Sequence, residues 1–286
     1  MPKKNEANLA RLSISQTGYF DYNGMRYSMD ISPEDGDIMI EFTIALAGKT
    51  ISISALHPST REYCRDYLAE GPAEFSLVIT QADIDFEREK SAREDQIEGI
   101  PVRQFSDAYL ETLAVYRKIA DKMLEYDTLL FHGSAIAVDG QAYLFTAKSG
   151  TGKSTHTRLW RKLFGDRVVM VNDDKPLLRV TKDGVMVCGT PWDGKHRIST
   201  NVQMPLKGIC ILSRAKENHI RKLTVAEALP MLLQQSYRSA NPVYLGMLLP
   251  LLDKLSKSTG LYSLGCNMEP EAAKVAYEGM NRKEDE

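Results

Sequence analysis

The sequence predicts an α/β protein in two unequal parts: a smaller β-rich region over residues 1–104, then an α/β domain over 105–286 that finishes in helices. Three observations predict it. Between Gly18 and Ile53, runs such as Ile38-Met39-Ile40-Glu41-Phe42-Thr43-Ile44 have strand composition and are punctuated by the turn dipeptides Asn23-Gly24 and Asp35-Gly36. Between Ala142 and Leu163 an apolar strand enters a glycine-rich loop and a helical pattern leaves it. The last third carries helix-start signals: Thr224-Val-Ala-Glu227 reads as a capping box, and Asn241-Pro242 and Pro270 as helix entries.

In chain order, residues 1–12 are polar and expected to fray. Pro58 to Leu68 reads as a short helix and Phe75–Ile79 as a strand. Asp83–Gly99 is a charged stretch expected to be a solvated helix or loop. Ser106 or Asp107 can cap a helix to about Tyr126 whose Leu110, Leu113, Tyr116, Ala120, Met123 and Leu124 share one face. Ser134–Val138 and Ala142–Thr146 are strands joined at Asp139-Gly140. A helix then runs from Lys153 to about Leu163 and closes at Gly165. Arg167–Val171 is a strand ending at Asn172-Asp173-Asp174, and a hairpin turns at Asp183-Gly184. From there the chain is expected to turn helical, with Leu261–Leu264 as a short strand and a last helix ending near Met280. The polar stretch Ser91–Gln104 is the expected boundary, and the part after it is expected to fold as a unit.

Composition narrows the function. With 43% hydrophobic and 26% charged residues and a formal net charge of −2, the chain is ordinary for a globular protein, and no bulk positive field argues for nucleic acid. Cys64, Cys188, Cys210 and Cys266 form no CxxC pair, so reduced thiols are expected rather than zinc or disulfides. No apolar segment approaches the roughly 20 residues of a spanning helix and no signal peptide is visible, so a cytoplasmic protein without membrane partners is expected.

The chemistry concentrates at Ala147-Lys-Ser-Gly-Thr-Gly-Lys153-Ser154-Thr155, which fills every slot of the phosphate-binding P-loop pattern except the first glycine. Backbone N–H groups of such a loop converge on an anion, and the following helix adds the positive end of its dipole. Ser149, Gly150, Thr151 and Gly152 form the cradle. Lys153 supplies a mobile charge for the β- and γ-phosphates, Ser154 a hydroxyl for Mg2+, and Thr155 continues the turn. The partner implied is a nucleotide, ATP with Mg2+. Alanine fits at 147 provided its φ is negative. Asp173 and Asp174 follow the next predicted strand, where one carboxylate can take a hydroxyl's proton and the other face the metal; a plain turn is the alternative.

Phe131-His132-Gly133-Ser-Ala-Ile-Ala-Val-Asp139-Gly140, the P-loop and the Asp-Asp pair, in this order and spacing, resemble the catalytic domain of HPr kinase/phosphorylase. The resemblance is closer still to bacterial HPr-kinase-related proteins, including kinases that modify lasso peptides. It covers about Leu129 to Met280. It implies a P-loop fold of the phosphoenolpyruvate-carboxykinase type with a mixed sheet and C-terminal helices. It places the family's histidine on His132, its catalytic aspartate on Asp173 and the neighbour of that aspartate on Asp174, with the metal-binding hydroxyl on Ser154. Ala147 and Thr155 depart from the family's glycine and acidic residue, which leaves the acceptor and the reverse reaction open.

The loop Trp192, Asp193, Lys195, His196, Arg197 can grip an anionic group or be a solvated basic loop. Arg214 and Lys216 can stabilise transferred charge or, the favoured reading, be surface charges after a strand, and His156 reads as a residue that packs or faces solvent. Taken together the sequence points to an ATP-dependent kinase acting on a hydroxyl, a serine of a peptide or protein by preference. Lys153 would neutralise charge, Asp173 act as base, His132 stand nearby, and Ser154 and Asp174 hold the metal. A small-molecule kinase or carboxykinase-like phosphotransferase is the alternative enzyme, and a non-catalytic nucleotide-gated binding module the alternative class. Homo-oligomerisation is left open.

Overall fold

A computed structural model describes residues 17–22, 25–31 and 38–282. The polar first 12 residues and the turns expected at Asn23-Gly24 and Asp35-Gly36 lie outside the described residues. The first sheet follows chain order: β1 (Thr17–Tyr22), β2 (Met25–Ile31), β3 (Ile38–Leu46), β4 (Lys49–Ala55) and β5 (Phe75–Val78). All neighbours are antiparallel except β4 and β5, whose parallel pairing is made by a crossover through α1 (Pro58–Tyr63). In β4, Ile51, Ile53 and Ala55 are buried while Ser52 and Ser54 are not, the period of two expected of a sheet with one covered face.

That face is covered by α2 (Gln81–Glu98) and α3 (Asp107–Met123), the latter capped by Ser106, whose hydroxyl accepts from the Tyr109 N–H. The charged stretch expected to be merely solvated is the helix α2, and its acids do more than face water. Glu87 is buried and meets Arg117 of α3 at 2.6 Å, and Asp83 takes Lys118 at 2.6 Å. The apolar face of α3 (Leu110, Ala114, Val115, Ile119, Met123) joins one core cluster with Ile44, Ile51 and Ile53 of the first sheet and with Leu177, Cys188 and Trp192 beyond it. That cluster runs across residues 104 and 105 without a break.

The second sheet is mixed and curled. Its strands are β6 (Thr128–Leu130), β7 (Ser134–Val138), β8 (Gln141–Thr146), β9 (Val168–Asn172), β10 (Leu177–Thr181), β11 (Gly184–Cys188), β12 (Gln203–Arg214), β13 (His219–Lys222) and β14 (Gly260–Cys266). The order is β6-β10-β11-β12-β8-β7-β9, with β14 parallel to the far part of β12 and β13 on its outer side. The chain after residue 190 is therefore not simply helical, as expected, but opens with the 12-residue strand β12. Pro205, Lys207 and Gly208 obscure its alternation, and a register shift between Leu206 and Gly208 accommodates them.

Helices α4 (Lys153–Phe164) and α7 (Glu271–Asn281) cover one face of this sheet, and α5 (Val225–Gln235) and α6 (Pro242–Ser258) the other. Strand β8 divides its side chains accordingly: Ala142 and Leu144 pack with Leu232 and Leu251, while Tyr143 and Phe145 pack with Trp160 and Ala273. A strand buried on both faces reads as a continuous apolar run.

Candidate phosphate-binding cleft

Strand β7 lies between β8 and β9 and is antiparallel to both, with Ser134 opposite Phe145 and Ala135 opposite Asn172. The beginning of β7 therefore sits beside the ends of β8 and β9. This register brings together His132-Gly133, the loop leaving β8 and the Asp173-Asp174 pair. Gly133 is needed there, because a Cβ would meet the Phe145 carbonyl oxygen and the Leu144 side chain at about 3 Å.

The loop turns through Gly150 and Gly152, whose φ of 73° and 123° lie where side chains are strained. Ala147 is buried and is not among the residues with positive φ, so alanine fits that position without strain. Gly152 caps α4 and no side chain caps its first turn, which leaves the helix-start N–H groups free for an anion. The Arg214 guanidinium donates to the Gly150 carbonyl at 2.7 Å, tying the loop to the end of β12, so this residue is more than a surface charge. Lys153 is half-buried and reaches the Ala147 carbonyl at 3.4 Å; burial lowers its pKa, opposed by Asp174 and then Asp173.

The two carboxylates differ. Asp173 is buried and accepts from the Ser134 hydroxyl at 2.6 Å; that hydroxyl lies 3.1 Å from Thr157 of α4. Asp174 is about one-third exposed and meets His132 Nε2 at 3.2 Å. Burial pushes its pKa up, but the His132 hydrogen bond and the Lys175, His132 and Lys153 charges outweigh that and hold it below the usual carboxylate value. Asn172 shapes the turn: its Oδ1 accepts from the N–H groups of Asp174 and Lys175 at 2.9 and 2.7 Å, while its Nδ2 donates to the Thr190 carbonyl at 3.1 Å.

One cleft of about 530 Å³ is lined by His132, Ser149, Gly150, Gly152, Lys153, Ser154, Thr155, Asp173 and Asp174. Of the residues expected at the site only Thr151 lies outside it, on the neighbouring side of the loop, donating its hydroxyl to the Lys148 carbonyl. Of the loop after Gly189, Gly194, Lys195 and His196 face the cleft. Trp192 is instead buried against Tyr116, ring centroids 4.0 Å apart, and Arg197 stacks over Tyr63 of α1. Ser134, Thr157, Asn172 and Thr190 went unnoticed in the sequence. Only Asn172, a turn-forming residue directly before two acids, left a signal there.

No three His, Cys, Asp or Glu side chains converge as a self-sufficient metal cage among the described residues. Mg2+ keeps several waters and binds through one or two protein groups plus phosphate oxygens, so Ser154 and Asp174, which line one cleft, fit such an ion.

The model of the SynChlorMet cassette protein ScmC family matches residues 104–268, more than half of the chain and every residue of the cleft. The chain belongs to the ScmC family. No curated protein matches it at a significant level. Among solved structures this ScmC-family chain is similar to the Hpr(Ser) kinase/phosphatase from Coxiella burnetii, with 8% identity and a TM-score of 0.32 over 52% of this chain and 94% of that one. No helix among the described residues is long and apolar enough to cross a membrane.

Proposed function

We propose that this chain is an ATP- and Mg2+-dependent kinase that transfers the γ-phosphate to a hydroxyl, a serine of a peptide or protein by preference. The observation that carries the reading is the convergence of Lys153, Ser154 and the helix-start amides of α4 with Asp173, Asp174 and His132 in one cleft. Phosphoryl transfer needs little covalent chemistry from a protein; alignment and charge stabilisation suffice.

In this reading the loop amides and Lys153 hold the β- and γ-phosphates. Asp173, fixed by Ser134, takes the acceptor's proton. Asp174 and Ser154 hold Mg2+, which supplies charge neutralisation when bound. His132 orients Asp174 through their hydrogen bond. Lys195 and His196, which line the same cleft, are placed to meet an anionic acceptor or the transferred group.

Lys153→Ala should weaken ATP binding by roughly 1.5–3 kcal/mol, the worth of a charge-assisted contact, and abolish release of labelled product from γ-labelled ATP. Calorimetry and turnover indistinguishable from wild type would overturn the assignment. Tight ATP binding with no labelled product from any hydroxyl, water included, would instead favour a nucleotide-gated binding module.

A further inference from the structure

We propose that a second cleft, on the far side of the P-loop from the carboxylates, holds the base and ribose of the nucleotide. The proposal rests on the kinase reading of the same loop and adds where the rest of the substrate lies. Gly150, Gly152 and Thr155 line both clefts, so the loop is their common wall. Transfer requires the γ-phosphate to sit at the Asp173–Asp174 end. A phosphate chain laid along the loop then leaves on the other side, where the second cleft opens.

The second cleft has the size and chemistry for a nucleoside. Its volume is about 520 Å³, within the range of small-ligand pockets. Leu159 of α4 and Leu212 of β12 give it apolar walls, and Met268 stands at its rim 78% exposed. A flexible, polarisable thioether in that position suits a flat ring. The cleft is more enclosed than the shallow groove on the other side of Arg214.

His156 lies in its wall and adds a polar feature the rest of the fold does not use. The Trp160 indole can only donate, and it donates to His156 Nε2 at 3.0 Å. Burial lowers the ring's pKa to about 4, so at neutral pH the ring is uncharged and its single proton sits on Nδ1. That nitrogen is buried and has no partner in the protein. An unpaired buried donor is costly, and a purine edge offers several acceptors.

Cys266 makes the test direct. It lines this cleft and is the one cysteine of the four that is not buried. Mg-ATP, and adenosine alone, each at ten times its Kd, should slow alkylation of Cys266 by N-ethylmaleimide about tenfold, as one-site occupancy requires. Tripolyphosphate, which can fill only the loop, should not protect. Met268→Glu should weaken Mg-ATP roughly tenfold, the order set by losing one side chain's apolar contact, and leave tripolyphosphate unchanged. Equal protection by tripolyphosphate, or ATP binding by calorimetry that leaves the thiol equally reactive, would overturn the subsite while leaving the loop assignment standing. Where the free thiol resists the reagent, the Met268→Glu arm decides alone, and unaltered Mg-ATP affinity in that variant rejects the subsite. Failure of both ATP and tripolyphosphate to bind would remove the kinase reading and the subsite together.

Discussion

Glu111, on α3 under the first sheet, and Asp173, in the cleft of the second, are both almost inaccessible, yet they are held in opposite ways. Glu111 accepts from the N–H groups of Leu56 and His57 and from the Thr60 hydroxyl. Nearby Asp95 takes the Arg103 N–H and guanidinium at 2.8 and 2.6 Å, and Glu87 takes Arg117. Asp173 has the Ser134 hydroxyl, and Asp174 has His132 and, at 4.0 Å, Lys175. A carboxylate has room for about four hydrogen bonds. Around α2 and α3 that capacity is largely spent on the protein itself, and in the cleft much of it faces a cavity. The difference separates acids that hold the fold from acids free to meet a ligand, though burial is the same for Glu111 and Asp173.

The sharpest way to break that contrast is to separate the two regions. A chain starting at Gln104 would bare the α3 face that shares a core with Ile44, Ile51 and Ile53. Apolar burial on that scale is the main source of stability in a domain whose net stability is about 5–15 kcal/mol. The expected outcome is loss of the cooperative melt, or aggregation. A soluble fragment with a sharp melt raised by Mg-ATP would show that the saturated acids support nothing the cleft needs.

Next in size are the cleft acids. Asp173→Asn is nearly isosteric and cannot take a proton at neutral pH. It should keep ATP binding and the melting temperature while losing transfer by roughly 10²–10⁴-fold, the range of a positioned general base. Asp174→Asn should raise the Mg2+ concentration needed for half-maximal rate. Identical metal titrations with the same modest rate loss in both variants would mean that the two share one network, and His132 would be the next base to test.

Much of this contrast was legible in the sequence, though unevenly. The glycine-rich loop before α4, the acid pair and His132 carry signals because each is a rare residue type at a fixed spacing or a strand end. What gathers them is the antiparallel register of β7 between β8 and β9, which no local pattern specifies. Ser134 is a small hydroxyl at the head of an apolar strand, and only its contact with Asp173 distinguishes it. Strand β12 was masked by Pro205 and Gly208, and α2 read as solvated because its paired acids resemble surface charges in sequence. The shared core of α3 was equally hidden: its apolar stripe was visible, but not the sheet it covers.

The saturated acids give the complementary prediction. Glu111→Gln keeps one acceptor oxygen but turns its NH2 toward either the Leu56 or the His57 amide, leaving that N–H unpaired inside the protein. Chemical denaturation should show a loss of about 3 kcal/mol, while turnover per folded molecule stays at the wild-type value. A rate loss comparable to that of Asp173→Asn would erase the distinction between the two groups of acids.

The smallest effect concerns His156, which sits beside the cleft but is neither saturated nor charged. Its pKa falls from 6.5 to about 4 on burial. Between those values the unfolded chain binds a proton that the folded chain refuses, so stability must fall as pH drops through that window. The loss should be about 1 kcal/mol at pH 5.5 and approach about 3 kcal/mol near pH 4. Asp174 acts elsewhere on the scale: its lowered pKa contributes stability that is present above the ordinary carboxylate value and lost only below it. The contribution of His156 between pH 7 and 5 is therefore read as the difference between the wild-type chain and a His156 variant, in which the other four histidines are unchanged. His156→Gln cannot titrate and should flatten the stability profile over that interval, while the decline at lower pH remains. A profile equally steep in the variant would assign the proton to another group and leave the idle Nδ1 without an energetic signature.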